Sequence, residues 1–167
     1  ILPDDGFGNR VLATAYFSVN MSSAGWDFLE VVPDLLSGGG AAESDPSTPT
    51  TESLRNAYYY AGLLEGYVSY TNLTQIGAAT RWASLWTNVT TWISGHIDFT
   101  NSSAQSWRYA APVDGSDAAK LKRYWDRVGM ILNQIDGMRA GYNMRAQQVG
   151  DAHLVKVPDM FSVSFFF

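Results

Sequence analysis

Cysteine is absent from this chain. Its absence excludes disulfides, thiolate metal sites and a cysteine nucleophile within these residues. It does not exclude an oxidising compartment, because only the usual sign of one is missing. Histidine is almost as scarce: His96 and His153 stand in different segments. A metal site needs three or four ligands at readable spacing, so neither metal nor cofactor is expected. Positive charge is also short, with 11 Lys and Arg against 16 Asp and Glu and a net charge of −5. The densest basic cluster, Lys120, Lys122 and Arg123, reads as one solvated helix face, and a nucleic-acid partner is not expected. No apolar run approaches the roughly 18 residues that span a bilayer. A G-x-S-x-G elbow and a P-loop are missing, and Gly6-Phe-Gly8 and Gly38-Gly-Gly40 are too short for a dinucleotide fingerprint.

Large rings are abundant instead. Aromatics make up 14% of the 167 residues, with six Trp and nine Tyr, and 46% of the chain is apolar. That composition argues against disorder and for one sizeable domain that buries many rings, in its own core or against a partner. Four N-x-[ST] sequons stand out: Asn20-Met-Ser22, Asn72-Leu-Thr74, Asn88-Val-Thr90 and Asn101-Ser-Ser103. Chance supplies about one in a chain of this composition, so N-linked glycans are expected. The chain opens on Ile1 rather than Met. A mature protein that has lost a signal peptide has that appearance.

Residues 11–19 and 26–32 read as two strands of an antiparallel hairpin. The second places Trp26, Phe28 and Glu30 on one face and Asp27, Leu29 and Val31 on the other. Residues 33–50, with Ser37-Gly-Gly-Gly40 and Asp45-Pro-Ser-Thr-Pro49, form an exposed loop. Residues 51–70 predict a helix capped by Thr50 or Thr51, with a stripe through Leu54, Ala57 or Tyr58, Ala61, Leu64 or Glu65, and Val68. Residues 74–94 predict another, through Ile76, Ala79, Ala83, Trp86, Thr90 and Ile93. A glycan on Asn88 requires that position to face solvent. Residues 100–112 give no distinct element. Residues 116–148 form the longest periodic segment, its seam marked by Leu121, Trp125, Val128, Leu132, Ile135, Met138 and Tyr142. Gly129, Gly137 and Gly141 interrupt it, each at about 1 kcal/mol against Ala. Close approach of a second backbone is one compensation; a kink or a helix end near Gly141 is the other. A short strand is expected at residues 154–157. The terminal Phe165-Phe-Phe167 is expected to bury against a following segment of a longer precursor.

Candidate chemistry reduces to carboxylates and one ring. Glu30, Glu65 and Asp136 are the acids that paired-carboxylate chemistry could use. Glu65 and Asp136 lie on helical seams, where a carboxylate must be hydrogen-bonded or ion-paired or else its pKa rises. Each is therefore either a tether between helices or part of a pocket.

Three segments together resemble the phospholipase B-like (lamina ancestor) family. They are Gly25-Trp-Asp-Phe-Leu-Glu-Val31, Ala57-Tyr-Tyr-Tyr-Ala-Gly-Leu-Leu-Glu-Gly-Tyr-Val-Ser-Tyr70 and Tyr124-Trp-Asp-Arg-Val-Gly-Met-Ile-Leu-Asn-Gln-Ile-Asp-Gly-Met-Arg-Ala-Gly-Tyr142. Gly150-Asp151 is a weaker fourth match. The resemblance implies an α+β fold, part of a four-layer αββα N-terminal nucleophile hydrolase sandwich that is helix-rich in this fragment. Residues 1–167 would then be the amino-terminal fragment of one hydrolase domain, completed by a larger catalytic chain from the same self-cleaved precursor.

In that family the new amino terminus is a Cys nucleophile, so no catalytic residue is expected in this chain. Trp26, Glu65 and Asp136 are its candidates for the wall of a substrate pocket or the groups just behind it. The substrate implied is a lipid-like or acylated amide or ester, and the location lysosomal or secreted. The alternative is a catalytically inactive glycoprotein that binds lipid or carbohydrate through exposed aromatics.

Overall fold

A computed structural model describes residues 11–18, 28–34, 50–79, 83–110 and 117–151. The two predicted strands pair as expected. β1 (Ala13–Ser18) and β2 (Phe28–Pro33) are antiparallel, in register from Ala13 opposite Pro33 to Phe17 opposite Leu29. Alternation divides the ribbon. Ala13, Ala15, Leu29, Val31 and Pro33 are half-buried, whereas Thr14, Tyr16, Glu30 and Val32 are exposed.

Four helices follow: α1 (Thr51–Val68), α2 (Tyr70–Ala79), α3 (Ala83–Arg108) and α4 (Asp117–Gln148). Thr50 caps α1: its hydroxyl accepts from the Ser53 amide at 2.8 Å, and Ser53 Oγ donates back to the Thr50 carbonyl at 2.9 Å. That exchange satisfies one of the free amides at the helix start. Glu52 in the first turn suits the positive end of the dipole. The break at Ser69 is slight, since its amide still bonds the Glu65 carbonyl at 2.9 Å.

Of the expected helix at residues 74–94, α2 carries the described residues up to Ala79 and α3 those from Ala83. Beyond that expectation, α3 runs on through Thr100-Asn-Ser-Ser103 to Arg108, where the sequence promised nothing regular. Two hydroxyls there bond back one turn, Thr100 to the His96 carbonyl at 2.6 Å and Ser102 to the Asp98 carbonyl at 2.8 Å. Buried Ile97 and Ala104 bracket the polar stretch, and tertiary packing overrides weak propensity.

Among the described residues α1 is central. It contacts both strands and α4, while α4 meets α3 and α2 but not the sheet. The core is thin: Ala57 and Leu63 of α1, Ile93, Ile97 and Ala104 of α3, Tyr142 and Ala146 of α4.

The α1–α4 contact keeps part of both predicted seams and adds to them. Ala57 and Tyr142 are buried as expected; the other buried residues are Ser53, Arg55, Gly62, Leu63 and Gly66 on α1 and Gly129, Gly137, Gly141 and Ala146 on α4. Leu121, expected inside, is exposed. A Cβ placed on Gly62 would collide with the Gln134 carbonyl, and one on Gly66 with that of Met138. Gly137 and Gly141 sit in the same way on the carbonyls of Tyr59 and Leu63. The two backbones therefore touch, which is the close approach that compensates glycine in a helix; α4 remains one helix through all three glycines. Contacts advance together along both helices, from Arg55 with Asp126 to Tyr70 with Asp151, so α1 and α4 run parallel. Such an approach also admits Cα–H···O contacts across the pair.

The 33–50 loop falls almost wholly outside the described residues, as do the 154–157 strand and the terminal phenylalanines. Only Pro33, Asp34 and Thr50 at the loop's margins are described; Pro33 closes β2.

Candidate functional site

The two longest segments that carry the resemblance, residues 57–70 and 124–142, lie face to face as the α1–α4 seam. Polar groups gather along that seam in three clusters, and its tight geometry positions all of them.

At the first end Arg55, 4% exposed, meets the carboxylate of Asp126 at 3.0 Å. Lys122 approaches the other oxygen of Asp126 at 3.6 Å and donates to the Trp107 carbonyl at 3.0 Å. That bond ties the last turn of α3 to α4, where a cation suits the negative end of the dipole. The Arg55 guanidinium lies over Gly129, so this third glycine makes room for a side chain rather than a backbone. The Arg55 Nε finds no acceptor among the described residues. Hydropathy periodicity gave no hint of a buried arginine here.

Midway, Gln134 Nε2 donates to Glu65 Oε2 at 3.1 Å, a tether between α4 and α1. Asp136 instead pairs within its own helix, with Arg139 at 2.8 Å, and is about half exposed. It faces solvent more than the seam on which periodicity placed it. Its charge still reaches Tyr59, whose phenol is held above its ordinary pKa of 10.0, chiefly by burial and then by Asp136. Glu30 is exposed on β2. No hydrogen bond joins any two of Glu30, Glu65 and Asp136 among the described residues.

At the far end Gly150, with φ +74°, ends α4 in the left-handed conformation that glycine adopts freely. The Asp151 amide then bonds the Ala146 carbonyl at 2.8 Å. So placed, Asp151 accepts from the Tyr70 hydroxyl at 2.6 Å, a bond that raises the Tyr70 pKa above 10.0. Tyr142 stacks on Tyr70 at 4.9 Å and shares a 3.1 Å hydrogen bond with Thr74. Tyr67 donates to Gln148 at 2.6 Å. The weak Gly150-Asp151 match was the sequence signal for Asp151, whereas Tyr67, Tyr70 and Tyr142 fall in the two long matching segments.

These groups can hold helices in register and line a wall. They do not make a nucleophile–base pair: the Ser53 and Thr74 hydroxyls are engaged with backbone carbonyls. His96 is exposed, bonds the Trp92 carbonyl at 3.0 Å and stacks on the Trp92 ring. No group of three metal-binding side chains occurs among the described residues. Trp26, Asn20 and His153 lie outside those residues, as does the side chain of Asn88. Asn72 is exposed on α2 and Asn101 half-buried on α3. No helix is long and apolar enough to cross a membrane among the described residues.

Among known families, the model described as Phospholipase B matches residues 13–164. No curated protein matches the chain.

Proposed function

The chain belongs to the phospholipase B family, a family of lipid-related hydrolases, and from that membership we propose that it is the non-nucleophile portion of a self-processed N-terminal nucleophile hydrolase. The observation that carries the reading is a family match over residues 13–164 of a chain that contains no cysteine. The nucleophile then belongs to a second, larger chain of the same precursor, one that begins with Cys.

On that terminal Cys the thiol and its own α-amino group sit on one residue. The amine, with a pKa of about 7.7–8.0, accepts the thiol proton directly or through water. The thiolate attacks an amide or ester carbonyl, and nearby donors hold the oxyanion. The acyl-enzyme then loses its acid to water. This chain supplies helices, strands and part of the pocket, with Trp26, Glu65 and Asp136 as the wall or the groups just behind it. Four sequons fit a lysosomal or secreted glycoprotein, and the exposure of Asn72 suits a glycan there.

The test is expression of the whole precursor, with intact masses followed over time. A larger product that starts with Cys, and a Cys→Ala variant that neither cleaves nor hydrolyses a phospholipid or an N-acyl amide, is the expected result. Hydrolysis by the 167-residue chain alone would overturn it. A second reading, a non-catalytic glycoprotein that binds lipid or carbohydrate, draws on the exposed rings of α3 and α4. It wins if the processed protein binds such ligands and cleaves none.

A further inference from the structure

One polar atom in the buried cluster at the first end of the seam is out of balance. The Arg55 side chain is 5% exposed, and its Nε has no acceptor among the described residues. A buried N–H without a partner has given up water for nothing in return, and folded proteins rarely keep one without a reason. A carboxylate is already bound to the same guanidinium. Asp126 Oδ1 accepts from Nη2 at 3.0 Å, the one hydrogen bond between these two side chains.

Nε and Nη2 share one edge of the guanidinium, spaced to take both oxygens of a carboxylate at once. Asp126 fills half of that fork. Its other oxygen, Oδ2, faces Lys122 Nζ at 3.6 Å, too far for a hydrogen bond. Lys122 is held back by the end of α3: Nζ donates to the Trp107 carbonyl at 3.0 Å and to that of Arg108 at 3.5 Å. One carboxylate is therefore shared between a cation of α1 and a cation of α4 that is anchored on α3. The sharing leaves both Nε and Oδ2 without a hydrogen bond among the described residues, and one rotation of the carboxylate toward Nε would satisfy the two together.

We infer that Asp126 is the moving part of a two-position latch that couples the end of α3 to the α1–α4 seam. In the position described, the carboxylate is split and Lys122 ties α3 to α4. In the second, both oxygens take the Nη2–Nε edge of Arg55, the strong paired geometry of guanidinium with carboxylate. Lys122 then keeps its carbonyls but loses its counter-charge. The last turn of α3 is left to the Arg108–Glu52 pair, an open ion pair of the weakly stabilising kind. The seam is locked at the expense of α3, or α3 is held at the expense of the seam, and the charge on Lys122 sets the balance. The latch owes nothing to the hydrolytic reading, since neither a nucleophile nor a substrate enters it.

The test follows the Arg55 Nε–H by nuclear magnetic resonance in the whole isotope-labelled chain, its signal assigned by loss in Arg55→Lys. Lys122→Met removes the competing charge at similar length, with Lys122→Gln in reserve if the Met variant folds poorly. The Nε proton is expected to move downfield and to exchange with water ~10-fold more slowly or better, while backbone amides in the last turn of α3 lose protection. Adding Asp126→Asn cancels the gain at Nε, because an amide offers only one oxygen. An unchanged Nε proton in a variant whose α3 end loosens makes Lys122 a plain tie and overturns the latch. So does a protected Nε with the end of α3 undisturbed, because the two would then not be coupled.

Discussion

Gly137 presses its Cα against the carbonyl of Tyr59, leaving no space for a methyl group. Propensity alone ranks Gly→Ala in a helix as a gain of about 1 kcal/mol. The geometry reverses that sign, because the obstacle is backbone and cannot swing away. Gly137→Ala and Gly62→Ala are each expected to lose about 2 kcal/mol or more in urea unfolding. Gly95→Ala is the control: on exposed α3 its new Cβ meets nothing within 4 Å, so stability should rise by up to about 1 kcal/mol. Equal behaviour of the three variants would refute the interlocked seam.

The Arg55–Asp126 pair predicts an asymmetry. Asp126→Asn leaves a buried guanidinium without its counter-charge, and a loss of about 3 kcal/mol is expected. Arg55→Met costs less, because Lys122 remains 3.6 Å from Asp126. Thermal melts of both variants at matched salt give the order; the reverse order would place the charge balance elsewhere.

Thr50→Ala removes the cap of α1 and is expected to cost about 1 kcal/mol, while Thr50→Ser is close to neutral. The pair separates loss of the hydroxyl from loss of the methyl group.

Alkali should find the Tyr70–Asp151 bond. The folded protein holds the Tyr70 proton more tightly than the unfolded chain, because deprotonation would set a phenolate against a carboxylate. A raised pKa means stability that is complete below pH 10.0 and falls as pH rises through the folded value. Denaturation midpoints taken across that window should decline in the parent protein and decline less in Tyr70→Phe.

Much of this architecture was legible in the sequence. Strand-forming composition located β1, alternating faces described β2, Thr50 marked the start of α1, and the long period of α4 survived three glycines. The seam was not legible in the same way. Hydropathy weights Leu121 and Val128, whereas the contact is made by Gly62, Gly66, Gly137 and Gly141, which carry almost no hydropathy signal. The polar run at Thr100 hid the second half of α3 because packing at Ile97 and Ala104, not propensity, sustains it. Of the candidate site, Glu65 is the tether that its place on a helical seam required. Asp136, given the same reading, turned outward to Arg139.

Parallel alignment of α1 and α4 sets a schedule for the newborn chain. Arg55 must wait for Asp126, 71 residues later. At about 5–20 residues per second the ribosome takes several seconds to deliver it. Through that interval the first helix carries a bare glycine groove and an unanswered arginine, so its cellular yield should depend on holding factors more than on its final thermodynamic stability.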